Sequence, residues 1–187
     1  CLAPSERAEA LSRGALLDAR AAATAIACGD GDLIGLSAVL DPVDSVQEIV
    51  DDPDFGGAKG EVLNTRFEGG KAAQFALADG ARSISSMATY GLVRTGHGMT
   101  LFANRLGGRV AVFPFDGQIG GGLKRFDRAG DVFFCPSYGR QRQLLDVIAW
   151  LGGRPPELFV PDAPNVLPLL SAQAGRLIAG VANFNSD

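Results

Sequence analysis

Between Gly98 and the C-terminus, two strand pairs flank one amphipathic helical stretch, and this pattern limits the chain to folds in which a helix covers a sheet. The segment GMTLFANRLGGRVAVFPF, from Gly98 to Phe115, predicts a hairpin turning at Gly107-Gly108. In its first strand Met99, Leu101 and Ala103 alternate with Thr100, Phe102 and Asn104. Its second, Arg109 to Phe115, is apolar on both faces and therefore central. A helix is predicted over 139–151, with Leu144, Val147, Ile148 and Leu151 as its apolar stripe. Arg140, Gln141, Gln143 and Asp146 take its polar positions, and Gly152-Gly153 and Pro155-Pro156 stop it. The closing NVLPLLSAQAGRLIAGVANFNSD turns at Ala174-Gly175, with Pro168 marking an edge strand and the final strand covered on both sides.

Upstream, the period is helical. Ser5 is the expected cap of a short helix ending at Gly14, and a second covers Asp18 to Ala27 and ends at Gly29. Leu36 to Leu40 reads as a strand. Asp41 to Gly60, acidic and carrying Pro42, Pro53 and Gly56-Gly57, reads as an irregular linker between a helical segment, 1–40, and a β-rich domain, 61–187. In that domain Val62 to Phe67 and Ala73 to Ala78 bracket Gly69-Gly70 as a further hairpin, and Arg82 to Tyr90 is another strand. The expected fold class is α+β, an antiparallel sandwich-like domain with one amphipathic helix packed on it.

Composition narrows the partners. A net charge of -4 among 187 residues argues against nucleic acid, because phosphate binding needs clustered cations. The two short basic stretches, Lys124 to Arg128 and Arg140 to Arg142, read as solvated surface. No apolar run reaches the roughly eighteen residues of a membrane-spanning helix. Cys1, Cys28 and Cys135 have neither disulfide-framework nor metal-clip spacing, so free thiols in a reducing, cytoplasmic compartment are expected. A leading cysteine also suits an acylated lipoprotein, but Ser5 to Arg13 already reads as helix where a flexible tether belongs, which favours a cleavage boundary.

Chemistry-bearing residues are sparse. A nucleophilic Cys135 has only His97 as a conventional base, and His97 sits between Gly96 and Gly98, a loop signal. Ser137 lies in Pro-Ser-Tyr-Gly, not a GxSxG elbow, and GQIGGG, beginning at Gly117, lacks the strand-to-helix context of a phosphate loop. Glycoside hydrolysis needs two carboxyls roughly 5 to 9.5 Å apart. Glu48, Glu61, Asp116 and Asp131 are of the right type, but none is singled out. Exposed aromatics suited to stacking on a sugar are Trp150, Tyr138 and Tyr90. No metal ligand set, cofactor site or catalytic residue is expected.

Four phrases, GALLDARAAATAIACGDGDLIGL, GMTLFANRLGGRVAVFPF, GRQRQLLDVIAWLGG and RLIAGVANFNSD, together resemble the C-terminal part of bacterial glycoside-hydrolase-like proteins with the family 42 β-galactosidase architecture. Asn104, Gly107, Gly108 and Arg109 are the most specific match. The resemblance implies the tail of a glutamine-amidotransferase-like trimerisation domain over residues 1 to about 40, followed by a small β-rich domain. It places the catalytic carboxylates in an upstream barrel. The implied role is an accessory module supporting that barrel or subunit assembly, with homo-oligomers possible; a carbohydrate-binding module and a stand-alone hydrolase are the alternatives.

Overall fold

The computed structural model describes residues 3–45, 47–64, 71–115, 138–155, 166–173 and 175–183. The expected α+β class holds: among the described residues four helices accompany strands gathered into mainly antiparallel sheets. None of the described helices is long and apolar enough to cross a membrane.

The N-terminal helix α1 (Pro4–Ser12) begins two residues earlier than Ser5 capping predicts, with Ala3 at the cap position. Pro4 occupies the first turn, where its missing N–H costs nothing, and the Glu6 carboxylate accepts from the Ala3 N–H at 2.7 Å. Strand β1 (Ala15–Leu17) follows, unforeseen because three residues carry no period. Helix α2 (Ala19–Ala27) starts one residue later than expected, because Asp18 is its cap, with Oδ1 accepting from the Ala21 N–H at 2.7 Å. A single turn, α3 (Gly31–Ile34), closes on left-handed Gly35 and delivers the chain into β2 (Leu36–Asp44).

The expected linker over Asp41–Gly60 is partly strand. β2 runs through Asp44, and β3 (Gln47–Val50) pairs with both β4 (Val62–Asn64) and β7 (Ser85–Ala88). Prolines and acids suggested irregularity, yet Pro42 sits on a strand whose outer edge is exposed, where a missing donor is tolerated. Among the described residues the arms of the hairpin expected between Val62 and Ala78 do not pair with each other. β4 pairs with β3, whereas β5 (Lys71–Leu77) pairs with β2 through two register shifts. Arg82 to Tyr90 divides into β6 (Arg82–Ser83) and β7. β8 (Arg94–His97) completes the second four-stranded sheet, β4-β3-β7-β8.

The hairpin of β9 (Thr100–Ala103) and β10 (Arg109–Val112) forms as expected. β10 is central, paired antiparallel with β9 and parallel with β1 in the sheet β1-β10-β9-β6. Helix α4 (Tyr138–Gly152) and the ribbon of β11 (Val166–Gln173) and β12 (Arg176–Asn183) also lie where expected. Ile178 and Ala179 on β12 are exposed, so that strand is not covered on both sides.

Two apolar clusters hold the layers. One joins Met99, Leu101, Ala111 and Phe113 to Ile84 between β6 and β7, to Met87 of the other sheet and to Val147 of α4. The second joins Leu11, Leu33, Ile34 and Leu36 to Phe75, Val110 and Val112. The first forty residues and the β-rich region therefore share a core, and Leu33, which an orphaned segment would expose, is buried.

Asn104 supplies the polar tie. Its Nδ2 donates to the carbonyls of Leu11 and Leu33, each at 3.1 Å, and its Oδ1 accepts from the N–H groups of Leu106 and Gly108, each at 3.0 Å. Gly108 is needed beside it, because a Cβ there would meet the Leu11 carbonyl oxygen at 1.9 Å. Asn104→Ala leaves these buried groups without their partner and is expected to cost about 2–4 kcal/mol, read as a lower urea midpoint with an unchanged slope.

Candidate functional site

The stripe read for α4 was Leu144, Val147, Ile148 and Leu151. The structure turns the helix away from that reading: Ile148 is 48% exposed, whereas Arg140 and Gln143 are fully buried beside Val147. Arg140, taken for solvated surface, is inside the protein because its partner is inside. That partner is Glu48, on β3, also fully buried.

The cluster is tightly bonded. Arg140 Nη2 donates to Glu48 Oε2, and its Nη1 donates to Gln143 Oε1. Glu48 Oε1 accepts from Ser85 Oγ at 2.5 Å and from Gln143 Nε2 at 3.1 Å. Ser85 Oγ in turn accepts from the Met99 N–H at 2.8 Å. The Arg140 guanidinium lies 4.9 Å from the Phe113 ring centroid, so an aromatic face supplies further negative potential. Opposed charge and dense hydrogen bonding offset the desolvation of both ions. The result joins α4, both four-stranded sheets and their shared core.

Glycines admit these groups. A Cβ on Gly98 would lie 2.2 Å from Ser85 Oγ, and one on Gly96 would lie 2.3 Å from Gln74 Oε1. Gln74 clamps β8 by accepting from the His97 N–H at 2.8 Å and donating to the His97 carbonyl at 3.0 Å. The pair of glycines around His97 therefore marks close approach within a strand, not the loop expected from sequence. The His97 residue itself is exposed.

The other expected residues disperse. Cys135, Ser137, Asp116, Asp131, the Gly117 glycine run and the Lys124 to Arg128 stretch lie outside the described residues, as do Cys1 and the side chain of Tyr138. Glu61 lies near the start of α4, where a Cβ on Gly139 would meet its Oε1 at 2.6 Å, and its Oε2 accepts from the Ala58 N–H at 3.2 Å. Tyr90 is 79% exposed in the turn between β7 and β8, beside Leu92, whose φ of +60° is unusual for a leucine. Trp150 packs against the first apolar cluster, and Arg109 lies over its ring at 5.6 Å while donating to its carbonyl at 2.5 Å. Arg109 is half-buried and closes the end of α4. Among the described residues no group of three or more His, Cys, Asp or Glu side chains is placed to hold a metal ion.

An open groove of about 520 Å³ runs between α1 and α2, floored by Leu11, Leu17, Ala21 and Ala25. Arg7 and Asp30 bridge its rim at 2.5 Å, and this hydrogen bond holds the Arg7 pKa above its ordinary value. Exposed Cys28 lines the same groove.

Comparison with protein-family models, with curated proteins and with solved structures finds no match.

Breaking one side of the cluster strands the other charge. Glu48→Gln and Arg140→Met are each expected to cost about 3–5 kcal/mol, while the double change Glu48→Leu with Arg140→Met costs much less than the two summed. Chemical denaturation of the single and double variants gives the coupling.

Proposed function

We propose that the chain is a non-catalytic accessory module of a glycoside-hydrolase-like protein, serving to buttress a catalytic barrel or to join subunits. The supporting observation is the state of the one fully buried carboxylate among the described residues. Both oxygens of Glu48 are held by Arg140, Gln143 and Ser85, and its side chain is fully buried. A general acid, base or nucleophile has to reach a substrate atom at hydrogen-bond distance. Glu48 instead directs its charge to helix placement, which is the work of a supporting body.

The choice of sugar metabolism comes from the resemblance of the four sequence phrases. The carbohydrate-binding alternative relies on exposed aromatics, and it is weakened at Trp150, whose ring already carries Arg109. Tyr90 keeps its exposure but stands in a separate turn.

The reading predicts no turnover of a broad panel of nitrophenyl glycosides by the folded chain, with folding verified by a cooperative thermal transition. Release of nitrophenol that Glu48→Gln or Glu61→Gln abolishes, without loss of that transition, overturns it.

A further inference from the structure

The groove between α1 and α2 has a hydrocarbon floor, and most polar groups at its rim are already engaged. Arg7 and Asp30 neutralise each other across it. The Asp18 carboxylate caps α2 through the Ala21 N–H, where the helix dipole also balances its charge. The Thr24 hydroxyl donates to the Arg20 carbonyl at 2.8 Å. Arg20 is the exception. Among the described residues its exposed guanidinium, at the second position of α2, has no hydrogen bond or ion pair. A cation in the first turn of a helix also opposes the positive end of the macrodipole, so Arg20 costs the fold stability and gains it no contact. Breaches of a local rule without a structural return are expected where a residue serves a ligand.

We propose that this groove binds a single-chain alkyl carboxylate, with the carboxylate on Arg20 and the chain laid along the floor between the two helices. Charge complementarity fixes one end of the ligand: an anion beside Arg20 meets both the guanidinium and the positive end of α2. The floor fixes the rest. The side chains of Leu11, Leu17, Ala21 and Ala25 offer no donor or acceptor, so the body of the ligand has to be apolar. A sugar laid there would leave its hydroxyls without partners. The volume of about 520 Å³ falls within the range of small-molecule sites, roughly 300 to 1,000 Å³. The site is independent of the accessory role argued above and adds a ligand to it.

Cys28, exposed along the same groove, reports occupancy. Dodecanoate, kept below its micelle concentration, is expected to slow alkylation of Cys28 by iodoacetamide, followed by peptide mass spectrometry, with half-protection on the order of 10–100 µM. Each methylene added between octanoate and dodecanoate should tighten binding about two- to fourfold. Arg20→Gln should weaken it about tenfold while the thermal midpoint holds or rises, since a cation has left the positive end of α2. Arg20→Lys should keep most of the affinity. Ala21→Trp, at an exposed position, should fill the floor and abolish protection without loss of the cooperative thermal transition. Protection that dodecyltrimethylammonium gives equally well, or that survives both Arg20→Gln and Ala21→Trp, overturns the proposal. So does a Cys28 that dodecanoate leaves unprotected up to its micelle concentration, or one shielded by rising protein concentration alone, the mark of a second copy in the groove. Glycoside turnover, by contrast, bears on the accessory role and leaves this site untouched.

Discussion

The buried pairing of Glu48 with Arg140 fixes where the long helix sits. An arginine fully removed from water is tolerable only where opposite charge and acceptors meet it, and β3 provides that place. Hydrophobic packing alone leaves a helix free to rotate by a few tens of degrees, since Leu144, Val147, Ile148 and Leu151 form an adequate stripe. The ion pair selects one rotation. It brings Gln143 under the sheet and leaves Ile148 in solvent.

A second polar tie acts at Asn104, in the turn between β9 and β10. One amide collects two carbonyls from the N-terminal helices and two N–H groups of its own turn. Both ties use a single side chain to satisfy groups from distant parts of the chain, and each needs a glycine close by. Specificity of layer placement thus resides in a few enclosed polar residues, while the apolar clusters supply most of the burial.

Local pattern was legible where one element decides its own state. The β9–β10 hairpin, α2, α4 and the closing ribbon could be read from alternation, helical period and turns. Pairing between elements was not. β3 and β4 resemble linker and hairpin arm because their partners are chosen by burial, and β1 is too short to show a period. The Glu48 cluster was hidden for a related reason: its charges lie 92 residues apart, and each sits among residues that look like ordinary surface. Local traces were Gly98, against Ser85, and Gly56, against Gln143, each of which a loop explains equally well from sequence. Asn104, Gly108 and Arg109 stood out in the resemblance, and they prove to be structural residues of the turn and the α4 terminus.

The parallel pairing of β1 with β10 has a consequence for biosynthesis. Ala15 to Leu17 find their ladder partners only at Val110 to Val112. During translation, the first three helices therefore leave the ribosome long before their seat exists, with Leu11, Leu33 and Ile34 still wet. Closure over such a span slows maturation and lengthens the interval in which a chaperone can engage the nascent N-terminus.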